Sequence, residues 1–305
     1  MYQVFLCETI HPAARRRLAA QARIIDDLSQ AKAVEGLISR NLSLTAEILG
    51  QMPRLRVIGV HGSGIDGVDT AAAEQRGVHV FSVPGRNADA VAELVVALAL
   101  NLARRLNEVQ RLLDSGTPYT NTLPEFAGHE LGGKVFGMIG VGEVARRAAR
   151  IFTQGFGMRA IGWSRSLTQQ RAAELGIGYR ATLEEVLAEA DIVSLGLALN
   201  AETRGVIGAR ELALMRPQAM LINTARGALL DEAALAEALA KGRLAGAACD
   251  VFVSEPPAAD HPLLRLPNFI ATPHIGANTE EALLKTGLAV VDGVLGFLER
   301  ADGRR

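Results

Sequence analysis

Two patterns alternate along the chain almost without pause. Short runs rich in β-branched and other apolar residues recur at Val4–Cys7, Val57–Val60, Val78–Phe81, Val135–Gly140, Arg159–Trp163, Ile192–Leu195, Ala219–Ile222 and Phe269–Ala271. Between them lie Ala-, Leu- and Glu-rich segments, among them Ala71–Arg76, Val144–Thr153, Leu183–Ala190 and Glu232–Lys241. Strand-like runs that alternate with helix-like ones predict βαβ units, hence parallel sheets covered by helices on both faces. A longer apolar segment, Ala88–Asn107, predicts a helix that leaves the first group of units, and the polar loop Ser115-Gly116-Thr117-Pro118 follows it. A second group opens at Gly132-Gly133-Lys134, and Asn278–Glu299 predicts one long final helix that returns to the first group. The expected architecture is therefore α/β, two doubly wound parallel-sheet domains. One is discontinuous, 1–98 with 278–305, and the other, 99–277, is inserted into it.

Length and composition agree with this and narrow it. The 305 residues suffice for two domains, and 49% hydrophobic against 21% charged residues is a globular balance. A formal net charge of −1 leaves no excess of positive charge for nucleic acid or an acidic membrane surface. Cys7 and Cys249 are far apart in the chain, so they predict reduced thiols rather than a metal site. The N-terminus lacks a secretory pattern, so a cytoplasmic protein is expected. The apolar stretch Ala90–Ala103 is short for a membrane span and is interrupted by Glu93 and Asn101. A helix that is apolar nearly all round is better buried between domains or subunits, which makes it a candidate homodimer contact.

The first chemical signal is Val135-Phe136-Gly137-Met138-Ile139-Gly140-Val141-Gly142-Glu143-Val144-Ala145, a strand, a glycine turn and a helix start. Gly140 permits the turn. Gly142 lets the backbone, with the N–H groups of Glu143 and Val144, approach a dinucleotide pyrophosphate at the helix N-terminus. Ala145 takes the third small position. The next strand ends in Trp163-Ser164-Arg165, where an NAD-selective site would place an acid. A hydroxyl and a guanidinium favour a 2′-phosphate, so NADP(H) is expected ahead of NAD(H); the alternative is that Arg165 stacks on the adenine or faces solvent and NAD is used.

Three further features lie at strand or turn ends: Arg226 in Asn223-Thr224-Ala225-Arg226-Gly227, Glu255 in Asp250–Pro257, and His274 in Thr272-Pro273-His274-Ile275-Gly276. In open α/β sheets the carboxyl ends of strands form the ligand crevice. The planar fork of Arg226 suits a carboxylate with a neighbouring carbonyl. His274 suits proton transfer, and Glu255 can fix its tautomer.

These segments, with His61-Gly62-Ser63-Gly64-Ile65-Asp66-Gly67-Val68-Asp69 and Asn87–Glu93, resemble the D-isomer-specific 2-hydroxyacid dehydrogenase family over nearly the whole chain. The resemblance implies a flavodoxin-like substrate domain and an inserted Rossmann nucleotide domain, and hydride transfer between NAD(P) and C2 of a small D-2-hydroxy or 2-keto acid. It implies Arg226, Glu255 and His274 as the catalytic set, a usual homodimer, and no metal. It further implies that the backbone N–H groups of Ser63 and Gly64 bind the substrate carboxylate, and that Asp250 bonds the nicotinamide carboxamide, although Asp250 could equally cap a turn. His61 is read either as a contact to a second polar group on the substrate or as a packed or solvated histidine. Thr224, Ala225 and Leu197 are candidates for the ring pocket.

The sequence departs from the family pattern at Leu195–Asn200, where many members carry a histidine and a proline around Gly196 and Ala198. The chain ends at Arg305, so no added regulatory domain is expected. A catalytically weak NAD(P)-sensing protein, a corepressor-like scaffold on the same fold, is the alternative to an enzyme. Oxidation of formate or phosphite is the alternative chemistry; formate oxidation releases no hydroxyl proton and so has little need for a Glu-paired histidine.

Overall fold

Two parallel sheets carry the chain, as the alternation predicts. They are seen in a computed structural model that describes residues 1–116 and 127–303. The first sheet contains β1 (Tyr2–Leu6), β2 (Ala22–Ile25), β3 (Gly36–Ser39), β4 (Val57–Val60) and β5 (His79–Ser82), in the order β2-β1-β3-β4-β5. This is the flavodoxin-like order, which reverses between β1 and β3. The second contains β6 (Val135–Ile139), β7 (Arg159–Trp163), β8 (Gly178–Tyr179), β9 (Ile192–Leu195), β10 (Met220–Asn223), β11 (Gly246–Cys249) and β12 (Phe269–Ala271). Its order, β12-β11-β10-β9-β6-β7-β8, is the Rossmann order with one extra strand, reversing between β6 and β9. The helices are α1 (Pro12–Ala19), α2 (Ala46–Gly50), α3 (Thr70–Gln75), α4 (Ala88–Arg104), α5 (Leu106–Asp114), α6 (Glu143–Phe156), α7 (Gln169–Glu174), α8 (Leu183–Glu189), α9 (Ala209–Leu214), α10 (Glu232–Ala240) and α11 (Glu280–Ala301).

The strands β2, β3, β8 and β11 were not among the predicted runs. The reason is plainest at β11, Gly-Ala-Ala-Cys, which has no β-branched residue and is buried at every position. It is a strand because β10 and β12 pair with it on both sides.

The chain divides into one unit of Met1–Asn87 with Ala277–Arg305 and a second unit of Ala88–Gly276. The second is inserted into the first, and the first break falls at 87/88, whereas the expected boundary is 98/99. The cause is α4, which belongs wholly to the second unit. Its Ala92, Val95, Ala99 and Ala103 share a core with Phe136, Ala148 and Phe152. The apolar character of Ala90–Ala103 is thus largely used inside its own unit. The expected single helix Ala88–Asn107 breaks at Arg105, whose φ of 54° ends α4 before α5 begins. Thr117 and Pro118 of the expected loop lie outside the described residues.

In the first unit α11 is the final helix the sequence predicts. Thr279 caps it, its hydroxyl accepting from Ala282 N at 3.2 Å. Val290, Val291, Val294, Leu295 and Leu298 recur at helical spacing, and all are buried in one core with Val4, Leu18, Ile38 and Val57. Each such side chain contributes about 1.5–3 kcal/mol by leaving water, so a charge at Val294 would cost the unit its closure. No described helix is long and apolar enough to cross a membrane.

Candidate active site

The turn after β6 is built for close approach. Gly140 has φ 96°, and a Cβ there would lie 2.5 Å from the carbonyl of Gly196, so any other residue is both strained and blocked. The 14-residue helix α6 follows from Gly142, and no side chain caps it. Nothing lies within 4 Å of a Cβ built on Gly142. Uncapped first-turn N–H groups that open onto uncrowded space fit a pyrophosphate. Glu143 is held back along the helix by Arg146 and Arg147, and Val144 is half-buried. Beyond β7, Ser164 is half-buried and Arg165 is exposed, its guanidinium paired with Glu202. The two side chains are 61% and 72% exposed, so this pair contributes about 0–1 kcal/mol. Leu197, after β9, packs against the core of its unit.

The carboxyl edge formed by β10, β11 and β12 gathers the other candidates. Buried Asn223 ends β10 and closes the next turn, with Nδ2 donating to Arg226 O at 2.9 Å and Oδ1 accepting from Ala225 N at 3.1 Å. Thr224 and Ala225 are half-buried in this turn. The Arg226 guanidinium donates through Nη1 to Ala225 O at 2.8 Å. Gly227 then presses on the next loop: a Cβ there would lie 2.0 Å from Phe252 C and 2.4 Å from Val253 N. Backbone contact therefore sets the Arg226 turn directly against the loop that carries Glu255.

Asp250 follows β11 and is buried. Its Oδ1 accepts from Thr272 Oγ1 at 2.6 Å and Ile275 N at 2.8 Å, its Oδ2 from Gly276 N at 2.8 Å, and its carbonyl from His274 N at 2.8 Å. This network holds the turn in which His274 sits at φ 54°, a left-handed conformation that costs energy and persists only where its surroundings impose it. His274 Nδ1 lies 2.7 Å from Glu255 Oε2, and Glu255 Oε1 accepts from Phe252 N at 3.0 Å. The side chains of His274 and Glu255 are 39% and 37% exposed. An imidazole that donates from Nδ1 to a carboxylate keeps Nε2 for exchanging a proton with a bound molecule.

Arg226, Asp250, Glu255 and His274 thus come together in the unit Ala88–Gly276, while Ser63 and Gly64 belong to the other unit. The Ser63–Gly64 loop leaves β4 through His61, whose N–H donates to Ser39 O at 2.7 Å, and Gly62, whose N–H donates to Val60 O at 2.8 Å. Of the readings of His61, the packed one describes its place. It is 6% exposed, and its Nε2 is buried without a hydrogen-bond partner, as is the hydroxyl of Thr286. Burial pushes the His61 imidazole below the ordinary histidine value, and the charge of Arg40 acts in the same direction. Burial also pushes both thiols up, Cys7 to about 12, so neither is poised as a nucleophile. Among the described residues no group of His, Cys, Asp and Glu could hold a metal ion.

The sequence did not single out Asn223, Thr272, Glu232 or His261, all of which brace this edge. Glu232 reads as an ordinary first-turn acid of a helix, and His261 as a loop residue before Pro262; no spacing connects them.

The pattern of the D-isomer specific 2-hydroxyacid dehydrogenase, NAD binding domain, matches residues 96–276. The chain is 36% identical over 302 residues to a glyoxylate reductase of Aeropyrum pernix, covering 98% of this chain and 87% of that protein. It is 36% identical to a D-3-phosphoglycerate dehydrogenase of Methanocaldococcus jannaschii over 88% of this chain, but it spans only 50% of that protein's length. A crystal structure of a Thermus thermophilus protein superposes with a TM-score of 0.90 at 33% identity, covering 98% of this chain and 97% of the other. With the two parallel-sheet units and the glycine turn already described, these likenesses show that the chain belongs to the D-isomer-specific 2-hydroxyacid dehydrogenase family, nicotinamide-dependent oxidoreductases that transfer hydride to or from 2-keto and 2-hydroxy acids.

Proposed function

We propose that the protein reduces small 2-keto acids, and oxidises the matching D-2-hydroxy acids, with His274 as proton donor and acceptor. The observation that carries this reading is the 2.7 Å contact between His274 Nδ1 and Glu255 Oε2 on the carboxyl edge of the second sheet. In reduction, His274 delivers a proton from Nε2 to the carbonyl oxygen, and in oxidation it takes the hydroxyl proton back. Glu255 keeps the imidazole in the tautomer and orientation that this requires. Arg226 binds the substrate carboxylate and polarises the carbonyl beside it. In the first unit, the N–H groups of Ser63 and Gly64 form a loop suited to an anion, the role proposed for them toward a substrate carboxylate.

The nicotinamide supplies or accepts the hydride. Gly140, Gly142 and the N–H groups of Glu143 and Val144 hold the pyrophosphate, and Thr224 and Ala225 border the ring. Asp250 already takes three donors from its own turn. A carboxylate has about four acceptor positions, so one is left for the carboxamide. Ser164 and Arg165 favour NADP(H), because the weak exposed pair with Glu202 gives way to a 2′-phosphate. The assembly we propose is a homodimer. Since α4 is committed to its own unit, the exposed Leu106 and Leu113 of α5 are better contact residues than Ala90–Ala103.

The test is a panel of 2-keto acids, including glyoxylate and hydroxypyruvate, assayed with NADPH and with NADH beside the His274→Ala variant. That variant should lose about 10² or more in turnover while coenzyme binding survives. Near-normal turnover would remove His274 from the chemistry. Coenzyme binding without oxidation by any keto acid would favour a sensor over an enzyme.

A further inference from the structure

Two glutamate–histidine pairs lie in the loops at the carboxyl edge of the second sheet, and the chemistry above uses one. In the other, Glu232 Oε2 lies 3.1 Å from His261 Nε2, and each side chain is only 18% exposed. Glu232 opens α10, and its second oxygen accepts from Val253 N at 2.8 Å. The preceding N–H, of Phe252, donates to Glu255 at 3.0 Å. Two successive backbone N–H groups are thus each claimed by a carboxylate, one from Glu232 and one from Glu255.

The peptide that joins Phe252 to Val253 is also where the Arg226 turn rests. A Cβ on Gly227 would lie 2.0 Å from Phe252 C, so the two backbones touch with no side chain between them. A shift of this peptide therefore moves both Arg226 and the Glu255 carboxylate that backs His274. Glu232 is the side chain that fixes its N–H.

His261 in turn fixes Glu232. The Phe252 ring meets the His261 ring edge-on at a centroid distance of 5.6 Å, and His261 Nδ1 is buried without a partner. A bare lone pair is less costly to leave unpaired than an N–H, so the ring carries its proton on Nε2 and donates it to Glu232. The Glu232 carboxylate is then tied by one oxygen to a braced ring and by the other to the backbone.

We propose that Glu232, held by His261, is a positioning residue of the reaction, setting the 252–253 peptide and through it the alignment of Glu255 behind His274. The proposal rests on His274 acting as the acid–base group. A displacement of about 1 Å in a catalytic group can cost up to about 10² in rate, so the effect belongs in kcat and not in coenzyme affinity.

The test measures kcat, KM and coenzyme Kd for Glu232→Ala and Glu232→Gln, alone and in a Glu255→Gln background. Glu232→Ala should lower kcat by about tenfold with coenzyme Kd unchanged. Glu232→Gln keeps an oxygen for Val253 N but turns an NH2 toward His261 Nε2, so it should recover only part of that loss. In the Glu255→Gln background Glu232→Ala should cost clearly less than in wild type, because one of the two groups it aligns is already altered and only the share carried by Arg226 remains. Should Glu232→Ala not fold, His261→Asn carries the same comparison, with a smaller kcat loss that again shrinks in the Glu255→Gln background. A kcat within twofold of wild type, or losses that multiply in full in the double variants, would overturn the proposal. Normal turnover in His274→Ala would instead overturn the acid–base reading on which it rests.

Discussion

The carboxyl edges of the two sheets are built from the same βα units, yet they treat histidine in opposite ways. After β4, His61 is 6% exposed, has no carboxylate bonded to its ring, and is held below its ordinary pKa by burial. After β12, His274 is 39% exposed, sits in a strained backbone conformation and is bonded to Glu255. A ring proposed to exchange protons has to reach solvent or substrate, and a carboxylate beside it fixes its orientation and favours its charged form. A ring that only packs is kept neutral and dry. Burial and partner, more than the residue type, separate the two.

Three measurements can break or sharpen this contrast. The largest effect is expected from Gly227→Ala, because the second edge rests on a backbone contact that no rotamer can relieve. The variant should lose about 3 kcal/mol in denaturant unfolding together with most of its turnover. Wild-type stability and rate would mean that the edge does not depend on that contact. Next comes Arg165→Ala, which should raise KM for NADPH about tenfold more than KM for NADH, the loss of one charge-assisted contact. Equal changes for both coenzymes would remove the NADP preference and leave the second edge blind to the 2′-phosphate.

The smallest effect is the pH dependence that His61 imposes. Its folded pKa lies below the unfolded value of 6.5, so above that pH both states are neutral there and nothing is lost. As pH falls below about 6.5 the unfolded chain takes the proton first, and stability declines by at most about 1.4 kcal/mol per pH unit until the folded value is reached. The difference between wild type and His61→Asn in unfolding free energy should shrink over that window. A difference that stays constant with pH would mean that His61 is as freely protonated as an exposed histidine.

The legible parts of the molecule were those in which chemistry coincides with a local pattern. Gly140 and Gly142 follow a strand run, and Arg226 and His274 stand just beyond others, so position alone marked them. The strand β11 was not legible, since Gly-Ala-Ala-Cys carries no strand preference and owes its conformation to its neighbours. The position of the break at 87/88 was not legible, because an apolar helix does not say which core it joins, and α4 joins that of Phe136 and Phe152. Asp250 showed two roles in the sequence, and its three hydrogen bonds to the 272–276 turn make the bracing role visible. The pairing of Glu232 with His261 spans 29 residues and depends on how a loop folds back, which no periodicity encodes.

The return of the chain to its first unit has a consequence for biosynthesis. Val4, Ile38 and Val57 share their core with Val290, Val294 and Leu298, which are made only after the inserted unit. The part of that face of the first sheet that α1 does not cover therefore stays wet until α11 leaves the ribosome, whereas all of Ala88–Gly276 has been synthesised by then. Domains usually complete in order from the N-terminus. Here the inserted unit can finish first, and the sheet made before it must wait, with an apolar surface open to chaperones or to misassociation, until α11 arrives.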